Sequence, residues 1–169
     1  MKIPQVNKRY IVIKKSKIHS NGIYAKKNIK KGIKVIEYVG EIVSKKEGDK
    51  RAQEQYKKHR KNKNHGAVYV YDLTTKYDLD GNFKWNPARL INHSCNPNCK
   101  YKQIKLKIFI ISIKPIKKGE EITYDYGYDL EDYKDHKCRC GSKNCLGYIV
   151  GKRYKKQFLR LRKKKNNKK

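Results

Sequence analysis

The sequence predicts a mainly β (α+β) domain, and three observations carry that reading. Short runs of β-branched and aromatic residues recur between residues 10 and 127, one polar segment has the chemistry of a helix start, and cysteines crowd together near the C-terminus. At 169 residues the chain has the length of one domain with one core. Tyr10–Ile13 is the first strand. Residues 18–25 form the next, with a turn at Asn21-Gly22, and residues 33–36 continue into 38–43. Ser44-Lys-Lys-Glu47 is a capping box, in which the serine hydroxyl accepts from the Glu47 amide. It opens a helix over about 45–60 whose near lack of apolar residues (Ala52, Tyr56) predicts a surface position. A loop at 61–66 leads to strands at 68–71, 76–79 and 107–113. Asn28-Ile-Lys-Lys-Gly-Ile33 and Pro115-Ile-Lys-Lys-Gly-Glu120 echo one another, each reading as a tight turn with glycine at positive φ feeding a strand, the second over 122–127. From residue 152 onward there is no acid. Tyr154, Phe158, Leu159 and Leu161 give the first part a helical apolar edge, and the end reads as a flexible basic tail.

Composition bounds the function. Lys+Arg 45 against Asp+Glu 15 gives a net charge of +30, which points first to nucleic acid or another polyanion. A lysine-, isoleucine- and asparagine-rich codon bias accounts for part of that excess without any functional reason. Mean hydropathy is −1.03, a value that would suit a disordered chain, but 37% apolar and 11% aromatic residues gathered in runs support a folded core. No apolar run approaches the roughly 20 residues of a membrane span, so no membrane partner is expected. Met1-Lys2-Ile3-Pro4 lacks a signal-peptide apolar region, so ordinary secretion is not expected. Five cysteines, an odd number, fit a metal site in a reducing intracellular compartment better than a disulfide framework.

Cys138, Cys140 and Cys145 place three thiols within eight residues, with Gly141 to let the backbone wrap. A tetrahedral zinc site takes four thiolate or imidazole ligands, so a fourth must come from elsewhere; Cys95, Cys99 and His136 are candidates. Arg89-Leu-Ile-Asn-His-Ser-Cys-Asn-Pro-Asn-Cys99 is a dense polar run between apolar residues. Buried polar groups there need partners, and a bound polar ligand is one such partner.

These segments together resemble the SET-domain protein-lysine methyltransferases over about residues 16–150. Asn21-Gly-Ile-Tyr-Ala25 is similar to the family's cofactor turn, although Ser20 stands where that turn often has its first glycine. Glu37-Tyr-Val-Gly-Glu41, Arg89 to Cys99, and Gly119-Glu-Glu-Ile-Thr-Tyr-Asp-Tyr-Gly127 match the next three signatures in order. Cys138 to Tyr148 resembles the post-SET zinc knuckle. The resemblance implies several small sheets with a pseudoknot-like thread, and a lead-in strand at 1–15. It implies a SET domain at 16–128, a post-SET zinc segment at 129–151 and the basic tail at 152–169. It also implies S-adenosylmethionine and substrate entering from opposite faces. Asn21, Gly22, Ile23, Tyr69, Arg89, Asn92 and His93 would bind the cofactor. Cys95 would complete a structural Zn²⁺ site with Cys138, Cys140 and Cys145. Tyr126 would be the catalytic tyrosine, and Tyr124 would tune the methylation state, its hydroxyl favouring mono- or dimethylation.

Methyl transfer from a sulfonium is an in-line displacement that needs a neutral amine, an apolar channel and alignment. A tyrosine with pKa about 10 suits orienting that amine better than deprotonating it. Seven of the 15 acids lie between 120 and 135, which reads equally as a negative mouth for a histone tail or similar basic protein and as a solvated acidic loop. The expected setting is the nucleus or chromatin, with the basic tail contacting nucleic acid or the nucleosome. Two alternatives are a non-catalytic zinc-stapled nucleic-acid-binding module and a methyltransferase for a non-histone protein.

Overall fold

The computed structural model describes residues 4–62, 68–131 and 133–166. Among the described residues ten strands form three small sheets. The first holds β1 (Ile11–Lys15), β2 (Asn21–Ala25), β10 (Glu121–Tyr124) and β7 (Asn92–His93), in the order β1-β2-β10-β7. The second is β3 (Lys34–Tyr38), β9 (Lys107–Ser112) and β8 (Cys99–Ile104), with β9 in the middle. The third is β4 (Glu41–Ser44), β6 (Tyr77–Asp80) and β5 (Val70–Asp72), with β6 in the middle. Isoleucine dominates the shared core: Ile23, Ile110 and Ile122 are fully buried, and Ile29, Ile36, Ile91, Ile108 and Ile116 nearly so. Each such side chain contributes roughly 1.5–3 kcal/mol by leaving water.

Two glycine turns hold the first and second sheets together. Gly32 and Gly119 both take φ 86°, as their echoing sequences predict. The two echoes also bond to each other, Ile29 N–H to Ile116 C=O at 2.8 Å and the reverse at 2.9 Å. The turn expected at Asn21-Gly22 lies earlier. Ser16 N–H donates to Ser20 C=O at 2.9 Å, and Ser20 takes the left-handed φ of 41°, so Asn21 and Gly22 already belong to β2. The strand expected over 122–127 stops at Tyr124, and the segment after it turns into the site. β8 was not anticipated, because Lys100-Tyr-Lys-Gln103 is exposed and its pairing with β9 is dictated by the neighbour.

Helix α1 (Lys45–Lys61) begins at the expected cap, with the Glu47 amide donating to Ser44 Oγ at 3.3 Å. Lacking an apolar stripe, it docks on the third sheet through polar groups. Arg51 pairs with Glu41 at 2.8 Å and Asp80 at 3.1 Å. Gln55 donates to Asp80 and accepts from the Tyr69 amide, and Lys45 pairs with Asp72 and Asp78. Gly48 is required there, since a Cβ would lie 2.2 Å from Asp78 Oδ2. At the C-terminus the helical apolar edge is narrower than expected: Tyr154 and Phe158 pack inward, while Leu159 and Leu161 are exposed, and the helix runs further than expected. Helix α2 (Lys155–Asn166) seats a fully buried Phe158 on Leu146 and Val150, and the last three residues of the tail lie outside the described residues. No helix among the described residues is long and apolar enough to cross a membrane.

Candidate active site and metal centre

The parallel pairing of β7 with β10 (Thr123 beside Asn92, Tyr124 beside His93) brings the two most distinctive sequence segments into register. Asn98 stitches them further: its amide donates to Glu121 C=O at 2.8 Å, and its carbonyl accepts from the Thr123 amide at 2.9 Å. Beside this crossing lies a cleft of about 500 Å³, within the range that holds a small organic molecule. Tyr124, Tyr126 and Tyr128 face it from one side and Tyr69 and Tyr71 from the other.

Tyr126 is held at both ends. Its hydroxyl donates to Ile91 C=O at 2.9 Å, and its backbone N–H donates to His93 Nδ1 at 3.2 Å. Burial, followed by the neighbouring Tyr124 and Tyr128, pushes its phenol well above the ordinary tyrosine value, so it keeps its proton. Tyr124 is buried. Its hydroxyl accepts from Tyr71 at 2.6 Å, and its ring lies 5.0 Å from that of Tyr126.

Of the residues expected to bind a cofactor, Asn21, Tyr69, Arg89 and Asn92 line the cleft. Arg89 Nε is buried there without a hydrogen-bond partner, as a site for a polar ligand would leave it. The Asn92 amide is turned on the protein itself, to His19 C=O, Asn21 C=O and Glu121 Oε1 at 3.4, 3.3 and 2.8 Å. It therefore shapes the wall. Gly22 stands behind that wall, where an added Cβ would meet Glu121 Oε1 at 2.3 Å. Ile23 belongs to the core. The His93 ring is buried away from the cleft and faces Cys95 Sγ across 3.6 Å. Sequence reading missed His19, Tyr71 and Tyr101 on the cleft wall. Tyrosine at 71 and 101 in alternating strand sequence was the available signal, but pairing of distant strands decides which face meets the cleft.

The four thiols of Cys95, Cys138, Cys140 and Cys145 lie within 4.8 Å of one another, while His136 and buried Cys99 stand apart. Cys95 and Cys138 sulfurs are 3.8 Å apart. A tetrahedron of thiolates about 2.3 Å from a zinc ion has edges of about 3.8 Å, so the set fits that metal. Backbone N–H groups of Cys95 and Gly147 approach Cys140 Sγ at 3.5 Å and Cys145 Sγ at 3.4 Å, as donors to thiolates would. Gly141 and Gly147 take positive φ, which lets the loop wrap. His136 packs against Tyr128 and Tyr56 instead, and burial pushes the Cys99 thiol up to about 12.

The acids between 120 and 135 do not make one mouth. Glu121 binds Ser16, Tyr24 and Asn92 behind the cleft wall. Asp125 caps the Gly127 and Lys152 amides, and Asp135 takes Tyr56 and Arg60. Asp129 and Glu131 remain exposed beside a second cavity, and Asp132 lies outside the described residues.

Comparison with known proteins agrees with this geometry. The profile of the SET domain matches residues 20–127. Human histone-lysine N-methyltransferase 2D is 38% identical over 148 residues, covering 84% of this chain and 2% of that protein. Trithorax, a histone-lysine N-methyltransferase of Drosophila melanogaster, is 36% identical over 151 residues, 87% of this chain and 4% of its own length. The H3 lysine-4 specific histone-lysine N-methyltransferase of Aspergillus oryzae is 36% identical over 148 residues, 84% of this chain and 12% of its own length. The chain thus spans a small fraction of the curated relatives it matches. With the profile covering most of the chain and its signature segments meeting at one cleft, this chain belongs to the SET-domain family.

Proposed function

We propose that this protein is an S-adenosylmethionine-dependent protein-lysine N-methyltransferase acting on a histone tail or a similar Lys/Arg-rich protein. The observation that carries the reading is Tyr126, a neutral phenol whose proton is given to Ile91 C=O and whose oxygen faces an aromatic cleft. That oxygen is free to accept an N–H from a lysine amine and so aim its lone pair. When bound, S-adenosylmethionine supplies the electrophilic methyl group. Asn21, Tyr69 and Arg89 would hold it, with Asn92 fixing the backbone of residues 19–21 beside it.

A lysine must lose its proton to act as nucleophile. Desolvation among tyrosine rings favours the neutral amine over its ordinary pKa of about 10.4. The Tyr124–Tyr71 hydroxyl pair occupies the floor beside the amine and leaves little room for added methyl groups, which favours mono- or dimethylation. Zn²⁺ in the four-cysteine site would be structural. It would tie β7's neighbour Cys95 to the C-terminal segment, so that the segment after Tyr128 closes over the cleft. A histone substrate, as the histone-lysine N-methyltransferase relatives suggest, would place the enzyme at chromatin. The functional divisions are then a lead-in at 1–15, a SET domain at 16–128, a post-SET segment at 129–151 and a basic C-terminal tail at 152–169.

Calorimetry with S-adenosylmethionine tests the cleft assignment: the wild type binds, and Arg89→Ala weakens binding by about tenfold or more. No binding by the wild type would instead favour the zinc-stapled nucleic-acid-binding module, which the acid-free α2 would serve.

A further inference from the structure

A second cavity, of about 310 Å³, opens between α1 and the segment after β10. That volume lies at the small end of the range for ligand pockets and is ample for one long side chain. Its walls are aromatic: Tyr56 from α1, then Tyr128, Tyr133 and buried His136, whose ring lies 4.8 Å from that of Tyr128. Two exposed carboxylates, Asp129 and Glu131, complete it. Among the described residues its lining includes no lysine or arginine, on a protein that carries 45 of them. The nearby Arg60 guanidinium is 3.3 Å from Asp135 and lies 4.6 Å over the Tyr56 ring, so a cation already rests on aromatic surface at the cavity's edge. Aromatic faces and carboxylates both attract a cation, through the ring quadrupole and through charge, and both repel an anion.

The cavity adjoins the main cleft, with Val68 and Tyr128 lining both. Tyr128 in turn lies 5.6 Å, ring to ring, from Tyr126. Two cavities sharing one wall are on the order of 10 Å apart, a span an extended peptide covers in about three residues.

We propose that this cavity is a subsite for a second cationic side chain, a lysine or arginine a few residues from the methylated lysine in the same peptide. The inference rests on the methyltransferase reading and sharpens it: the substrate is a segment with paired cations, and Asp129 and Glu131 select it.

The test uses the full chain, S-adenosylmethionine and synthetic peptides that share one target lysine. Each neighbouring position in turn carries arginine, lysine or alanine. One position is expected to stand out, where alanine raises KM about tenfold and leaves kcat within about twofold. In D129N/E131Q, two exposed changes that leave the fold intact, that discrimination falls below about twofold while kcat on the alanine peptide is unchanged. Ala52→Trp, which fills the cavity from α1, gives the same loss by a steric route. Equal KM for all peptides, or discrimination that survives in D129N/E131Q, overturns the subsite while leaving methyl transfer standing. No transfer to any peptide or to histones, together with no S-adenosylmethionine binding by calorimetry, overturns the underlying reading and the subsite with it.

Discussion

In the proposed reading Tyr126 positions the amine with a phenol that keeps its proton, and burial followed by the neighbouring Tyr124 and Tyr128 raises its pKa. Tyr126→Phe keeps the ring packing and the backbone bond to His93 but removes the hydroxyl. Transfer is expected to fall on the order of 10²-fold, with S-adenosylmethionine affinity unchanged, as read by rate assay and calorimetry. Tyr124→Phe acts differently. It removes the acceptor of the 2.6 Å bond from Tyr71 and opens space beside the amine. Mass spectrometry of the products should then show a shift towards trimethyl-lysine, and unchanged product states would contradict the assignment. Both tyrosines were legible in the sequence through the run Gly119–Gly127. What was not legible is that the His93 imidazole and Asn92 amide face the protein. Those orientations follow from the parallel pairing of β7 with β10, a contact across 31 residues that no local pattern announces.

At the level of elements, turn chemistry and capping were readable because they are local. Ser44 caps α1, and Gly32 and Gly119 take the positive φ their sequences require. The register of the Ser16–Ser20 turn was misplaced because Asn-Gly is a strong turn signal, and here it sits at the start of β2. Ser20 holds φ 41° without a glycine's freedom. Ser20→Gly should therefore stabilise the fold by about 0.5–1 kcal/mol, seen as a rise in Tm, unless the hydroxyl serves the cofactor, in which case affinity falls as stability rises. The docking of α1 was hidden for another reason. Helix periodicity looks for apolar stripes, and this helix is held by Arg51, Gln55 and Lys45 on buried Asp78 and Asp80. Phe158→Ala should undock α2 from Leu146 and Val150, at about 3–5 kcal/mol for that contact, and hydrogen exchange localised to α2 and the knuckle would show it.

For the whole molecule, the net charge of +30 suggested a nucleic-acid binder, and the distribution of charge says more than the total. The acids between 120 and 135 are dispersed, with Asp129 and Glu131 at the second cavity, and cations cover α2. If the four thiols hold zinc, a chelator should loosen residues 138–166 first, increase proteolysis there and weaken methyl transfer, because Cys95, two residues after β7, shares the site with Cys138, Cys140 and Cys145. Retained protection after complete metal removal would contradict a structural role for the ion. The central claim is tested most directly by transfer of a labelled methyl group from S-adenosylmethionine to core histones, nucleosomes and lysate protein, with wild type and Tyr126→Phe side by side. The account predicts label on lysine with the wild type and on the order of 10²-fold less with the variant. Wild-type protein that transfers no label to any of these substrates, or a variant as active as the wild type, would contradict it.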